Sequence, residues 1–129
     1  MDGAAIRRRL ALGLAVLAGS GALALALPGT AQAADSTCAG RQVKTLAFAT
    51  GSVRVYRQDG YVCAVTVPKQ AGRAQSMSVT VQARGLRPVT DKGRFTQRAG
   101  PVTVYAGHRC VRVSGSVAAG SATSGWFLC

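Results

Sequence analysis

Few side chains in this 129-residue sequence could do chemistry. His108 is the only histidine, two residues before Cys110 in the stretch "GPVTVYAGHRCV", Gly100 to Val111. Downstream of position 33 the only carboxylates are Asp35, Asp59 and Asp91, and there is no glutamate. A hydrolase needs a nucleophile, a base and an orienting group within hydrogen-bond reach. Serines are plentiful and His108 is the base on offer, but no G-x-S-x-G elbow is present. A glycosidase needs two carboxyl groups facing a sugar. Asp59 and Asp91 fall in "QDG" and "DKG", which read as turns where an aspartate serves its own backbone. There is no phosphate-cradling loop and no H-E-x-x-H pair. Four cysteines without a C-x-x-C pair make a weak zinc site. These residues argue against an enzyme, and no catalytic, cofactor or metal site is expected.

The ends of the chain set the context. Arg7, Arg8 and Arg9 precede an apolar stretch, Leu10 to Leu27, followed by Pro28-Gly29 and the A-x-A box Ala31-Gln32-Ala33. That order reads as a secretory signal peptide over 1–33, with an uncleaved anchor as the competing reading. Residues 34–129 then form a single secreted domain with a modest core and no transmembrane segment after cleavage. All four cysteines, Cys38, Cys63, Cys110 and Cys129, lie in that part. An even count in a short exported chain reads as disulfides. Of the three pairings, Cys38–Cys63 and Cys110–Cys129 are favoured because each ties neighbouring parts of the chain. Loops of that length are worth about 3 kcal/mol each in the chain-entropy model.

The elements that must position any site are strands. In "SMSVTVQARG", Met77, Val79, Val81 and Ala83 alternate with Ser78, Thr80, Gln82 and Arg84, the pattern of a half-buried strand. Short β-branched runs separated by turn signals predict a small antiparallel β-sandwich or barrel of about six to eight strands. In "SVRVYRQDGYVCAVTV" a three-residue loop, Gln58-Asp59-Gly60, sets Val55 opposite Cys63 and Val53 opposite Val65. That register gathers Val53, Val55, Tyr61, Cys63, Val65 and Val67 on one face. A two-residue Asp59-Gly60 loop scatters apolar residues over both faces, so burial selects the longer loop. By the same logic Asp91-Lys92-Gly93 sets Val89 opposite Phe95. A turn at Gly107-His108 pairs Ala106 with Arg109 and sets Val104 opposite Val111 and Val102 opposite Val113. His108 then sits at an exposed hairpin tip, and Pro101 opens the strand leading to it.

What remains is binding. Residues 34–129 carry thirteen lysines and arginines against three aspartates, within a whole-chain net charge of +12. Such a balance favours anionic partners such as wall polymers, anionic lipid, nucleic acid or acidic proteins. No run of five basic residues appears, so no dedicated nucleic-acid arm is indicated. The candidates on solvated strand faces are Arg54, Arg57, Arg84, Arg87, Arg94, Arg98 and Arg112, with Tyr56 beside Arg54. Trp126 and Phe127 could offer an aromatic surface, but closing the end of the core is the favoured reading.

The stretch "DKGRFTQRAGPVTVYAGHRCVRVSGSV", followed by Trp126 and Cys129, resembles the spore-associated protein A family of filamentous actinobacteria. The order of parts also matches: signal peptide, Cys38, a strand ending near Cys63, D-x-G-x-[FY], A-G-P-V, a Cys-Val strand and a terminal Cys. A Trp-Gly-Gly often follows the Cys-Val strand in that family, whereas Arg112-Val113-Ser114-Gly115 stands here. The resemblance implies an exported protein at the spore or hyphal surface and supplies no catalytic residues. The expected function is therefore non-enzymatic association with an anionic cell-wall or spore surface. The alternative is a secreted protease inhibitor or antimicrobial antagonist presenting Lys69 or Arg73 from "PKQAGRAQS", Pro68 to Ser76.

Overall fold

The computed structural model describes residues 38–129. The signal-peptide and cleavage readings over 1–33, and Asp35, lie outside the described residues. The eight strands are β1 (Arg41–Phe48), β2 (Gly51–Gln58), β3 (Tyr61–Pro68), β4 (Gln75–Ala83), β5 (Val89–Phe95), β6 (Ala99–Tyr105), β7 (Val111–Val117) and β8 (Gly120–Thr123). They form two antiparallel four-stranded sheets, ordered β1-β2-β3-β6 and β5-β4-β7-β8. The inner faces meet in one core that draws Val53, Val55, Val62, Ala64, Ala99 and Val102 from the first sheet. Met77, Val79, Val81, Val111, Val113 and Val117 come from the second. This is a β-sandwich, built from the small and β-branched residues that fit a pleated surface.

Three connections, β3 to β4, β5 to β6 and β6 to β7, cross between the sheets. β6 lies beside β3 and β7 beside β4, so the crossings interlock. At Gly115 the sheets approach closely. A Cβ there would come within 2.3 Å of Thr66 Oγ1 and 2.5 Å of Val53 Cγ2. The gap lets the buried Thr66 hydroxyl donate across the sandwich to the Ser78 carbonyl at 2.9 Å. A buried hydroxyl needs such an acceptor.

Both expected disulfides are present, Cys38–Cys63 and Cys110–Cys129. The first lays the segment at Cys38 against the outer face of β3. Cys38, Cys63 and Val65 make a second small cluster there, with Tyr56 and Val67 packed on it.

That cluster corrects the predicted hairpin register. β2 and β3 are joined by a two-residue turn, with Val55 opposite Ala64 and Tyr56 opposite Cys63. Burial could not choose, because β3 is buried on both faces from Val62 to Thr66. Turn chemistry chose instead. Asp59 at φ 48° and Gly60 at φ 84° supply two consecutive left-handed positions, which a two-residue primed turn requires.

Two further hairpin expectations are corrected. Asp91-Lys92-Gly93 is no turn; it lies inside β5, with Asp91 opposite Val79 of β4. The Asp91 carboxylate accepts the Gly100 N–H at 2.8 Å, fixing the entry to β6. The turn at Gly107-His108 does form. Gly107 has φ 58°, and Arg109 N–H donates to the Ala106 carbonyl at 2.9 Å. The ladder beyond it does not: β6 pairs with β3, and β7 with β4 and β8. Val102, Val111 and Val113 share one core, as the pattern indicated, but reach it from opposite sheets.

Candidate functional site: a basic face on the second sheet

Along β4, Met77, Val79 and Val81 point inward, so Ser78, Thr80 and Gln82 point outward. Pairing carries that face across the sheet. Lys92, Ser78, Ser116 and Ser121 form one row, and Thr90, Thr80, Ser114 and Thr123 the next. Within the rows Ser78 Oγ and Ser116 Oγ lie 2.7 Å apart, and Thr80 Oγ1 and Thr90 Oγ1 2.9 Å apart. The floor is thus a field of short hydroxyl side chains that a ligand can approach closely.

Cations border this floor. Arg94 stands opposite Ser76 at one end of β5, and Arg112 opposite Gln82 at the other end of the sheet. Arg84 follows β4 directly and is exposed. The guanidinium carbons of Arg112 and Arg84 lie 4.5 and 5.4 Å from the centre of the Trp126 ring. Such contacts are worth about 0.5–1 kcal/mol each at exposed sites and restrain otherwise loose side chains. Arg109 reinforces the corner, its Nη1 donating to the Arg84 carbonyl at 3.0 Å.

Trp126 is itself held from below. Val111 N–H donates to the Phe127 carbonyl at 2.7 Å, and Phe127 N–H to the Val111 carbonyl at 2.9 Å. The buried Ser124 Oγ accepts Val113 N–H at 2.9 Å. Cys110–Cys129 closes the segment. The expected shared role of the two aromatics therefore divides. Phe127 packs against the core, with Lys44 Nζ 5.0 Å above its ring. Trp126 is half-buried between two arginines on the outer surface.

No carboxylate opposes these charges. Among the described residues the acids are Asp59, at the β2–β3 turn, and Asp91, which is turned toward Gly100. A face of guanidinium, ammonium and hydroxyl donors with no internal acceptor charge is suited to anions.

The structure sorts the seven arginines expected to bind. Arg84, Arg94 and Arg112 gather on this face, and Arg87 lies exposed in the β4–β5 connection. Arg94 also donates to the Ala74 carbonyl at 3.1 Å. Arg54 is exposed on the first sheet, and Arg98 is half-buried between β5 and β6. Arg57 is half-buried, its Nη2 3.4 Å from the Gly107 carbonyl. Tyr56 stands on the same outer face as Arg54 but packs on the Cys38–Cys63 cluster. Sequence reasoning missed Lys92, because placing it in a turn hid that it alternates with Asp91 along a strand. His108 is exposed at its turn, as expected. Lys69 and Arg73 are exposed in the β3–β4 connection, which is tied down by Lys69 N–H to the Thr50 carbonyl and Gly72 N–H to the Thr96 carbonyl.

Fold and face together define a disulfide-tied β-sandwich with one acid-free basic sheet surface. Comparison with protein-family models, curated proteins and solved structures finds no match to this chain.

Proposed function

We propose that this chain is a non-enzymatic exported protein retained at an anionic cell-wall or spore surface by the outer face of β5-β4-β7-β8. The observation that carries the reading is the placement of Lys92, Arg94, Arg84 and Arg112 around a hydroxyl floor with no carboxylate. The resemblance to the spore-associated protein A family supports the location, and the whole-chain charge of +12 supports the sign of the partner. Binding of this kind consists of many weak contacts, each screened within a Debye length of about 8 Å at physiological salt. Retention should therefore fall steadily with added salt.

The test is a salt-elution profile from intact spores and mycelium. It compares the parent protein with Arg84, Lys92, Arg94 and Arg112 all changed to Gln. A control carries the same number of changes at Arg41, Arg54, Arg57 and Lys69, on the first sheet and just after β3. The face variant should elute at clearly lower salt than the control. Equal elution of the two variants would show that total charge, not this face, governs retention. Retention resisting high salt would overturn the electrostatic reading.

A further inference from the structure

The aromatic side chains divide sharply by environment. Phe48, Phe95 and Phe127 pack against the main core, Tyr56 packs on the disulfide cluster, and Trp126 lies between two arginines. Tyr61 and Tyr105 are left 51% and 60% exposed. They are directly opposed on β3 and β6, on the outer face of the first sheet. Their ring centroids are 5.0 Å apart and their planes 67° apart, so the rings form an open angle.

Tyr105 is exposed but firmly seated, and Tyr61 meets it edge to face. A Cβ on Gly60 would lie 2.8 Å from the Tyr105 ring, and one on Gly107 3.4 Å from it. The ring thus rests on two glycine turns. Those turns are joined by Ala106 and Gly107 N–H groups donating to the Gly60 carbonyl at 2.8 and 3.0 Å. A ring seated in this way while still exposed loses little freedom when something stacks on it.

Depressions open on both sides. One of about 400 Å³ is lined by Ala39, Gln58, Asp59, Tyr61, Cys63 and Thr103. A smaller one of about 250 Å³ is lined by Arg57, Asp59, Gly60, Tyr105, Gly107 and His108. Asp59 borders both. Among the described residues, the side chains of Gln58, Asp59, Thr103 and His108 make no hydrogen bond within the protein.

We infer that the Tyr61–Tyr105 pair and its flanking depressions bind a short run of pyranose sugars. A pyranose presents an apolar C–H face and a rim of hydroxyls. Two adjacent exposed rings, one of them seated, suit the first, and the planar acceptors and donors of Asp59 and Gln58 suit the second. The larger depression falls within the size range of small-ligand clefts, about 300–1,000 Å³. Two exposed rings are far short of the roughly 800 Å² per partner of a standard protein interface, which disfavours a protein occupant. The site lies on the opposite sheet from the basic face and does not depend on that face's role.

The experiment is calorimetric titration of the disulfide-intact protein with three probes: the tetramer of N-acetylglucosamine, cellotetraose and tetragalacturonate. At least one should bind, and Tyr61→Ala and Tyr105→Ala should each weaken it at least about tenfold, the order expected for losing a hot-spot aromatic. Gln58→Ala, at an exposed side chain, serves as a second variant should a tyrosine variant not fold, and should also weaken binding. The quadruple Gln variant of the basic face should bind the sugar as the parent does, so the two readings fail separately. No binding of any probe, or unchanged binding in the Tyr and Gln58 variants, overturns the inference. So does a concentration-dependent dimer that Tyr105→Ala abolishes, since the tyrosines would then serve a second copy of the chain.

Discussion

Removing one disulfide tests how the basic face is assembled. Changing Cys110 and Cys129 together to Ser opens a bridge between residues 19 apart in the chain. The unfolded state regains the entropy of a loop of about twenty residues, worth about 3 kcal/mol. For a domain of 60–100 residues each kcal/mol shifts Tm by about 4–8 °C, so a fall of roughly 12–24 °C is expected. The consequence for the site is separate. Without the bridge, the segment 124–127 is held to β7 by the Ser124 contact and the paired Val111–Phe127 hydrogen bonds. Each net bond is worth only about 1 kcal/mol, so this terminal segment should fray. Trp126 is the only tryptophan, so intrinsic emission reads this site without background. The variant should show red-shifted emission well below its melting temperature. It should also elute from cells at lower salt, because Arg84 and Arg112 lose the ring that restrains them. Two observables refute different steps. A Tm loss smaller than about 1 kcal/mol implies would contradict the chain-entropy argument. A normal Tm loss with unshifted emission would show that Phe127 and Ser124 alone position Trp126.

Two further substitutions probe the frame that carries both surfaces. Gly115→Ala places a methyl against Thr66 and Val53, and overpacking of this kind costs about 1–3 kcal/mol, with more if the Thr66–Ser78 bond breaks. Urea unfolding should show that loss, and adding Val53→Ala should recover part of it; a neutral Gly115→Ala would mean the sheets part easily there. Asp91→Ala removes the acceptor for Gly100 N–H and should cost about 1.5–3 kcal/mol, while Asp91→Asn keeps an acceptor and should cost less. Equal losses in the two would show that shape or charge, not the hydrogen bond, matters at Asp91.

Strand faces were legible because side chains alternate regardless of neighbours. Met77, Val79, Val81 and Ala83 are buried as their spacing requires, and β7 repeats the pattern at Val111, Val113 and Val117. The two disulfides were legible because nearby cysteines pair at the least entropic cost. The errors arose where local and distant information compete. Burial can select a register only when one face is wet, and the Cys38–Cys63 bridge made both faces of β3 dry. The pair of left-handed positions in "QDG" was the better guide, since turn geometry acts before any tertiary contact. "VTDKGRF" misled in the opposite way. Its D-x-G reads as a turn, yet the Asp91 side chain is spent on Gly100, and Gly93 sits opposite Met77 in the ladder.

The same division explains what could be read of the sites. Period two says that Arg84 and Arg112 point outward but not that they share a sheet. Their meeting at Trp126 depends on β4 pairing with β7 across the interlocked crossings, which no local pattern encodes. Tyr61 and Tyr105 become neighbours only through the β3–β6 pairing. One local trace of that site did exist. Gly60 precedes Tyr61, and Gly107 follows Tyr105 by two positions, so each tyrosine stands beside a turn glycine. A glycine beside an aromatic at a strand end can serve the turn alone, or it can clear a seat for a ring. Here Gly60 does both: its φ of 84° closes the β2–β3 turn, and its missing Cβ admits the Tyr105 ring from the neighbouring strand β6. Gly60→Ala should therefore disturb Tyr105 as well as the turn, because the two demands fall on one atom.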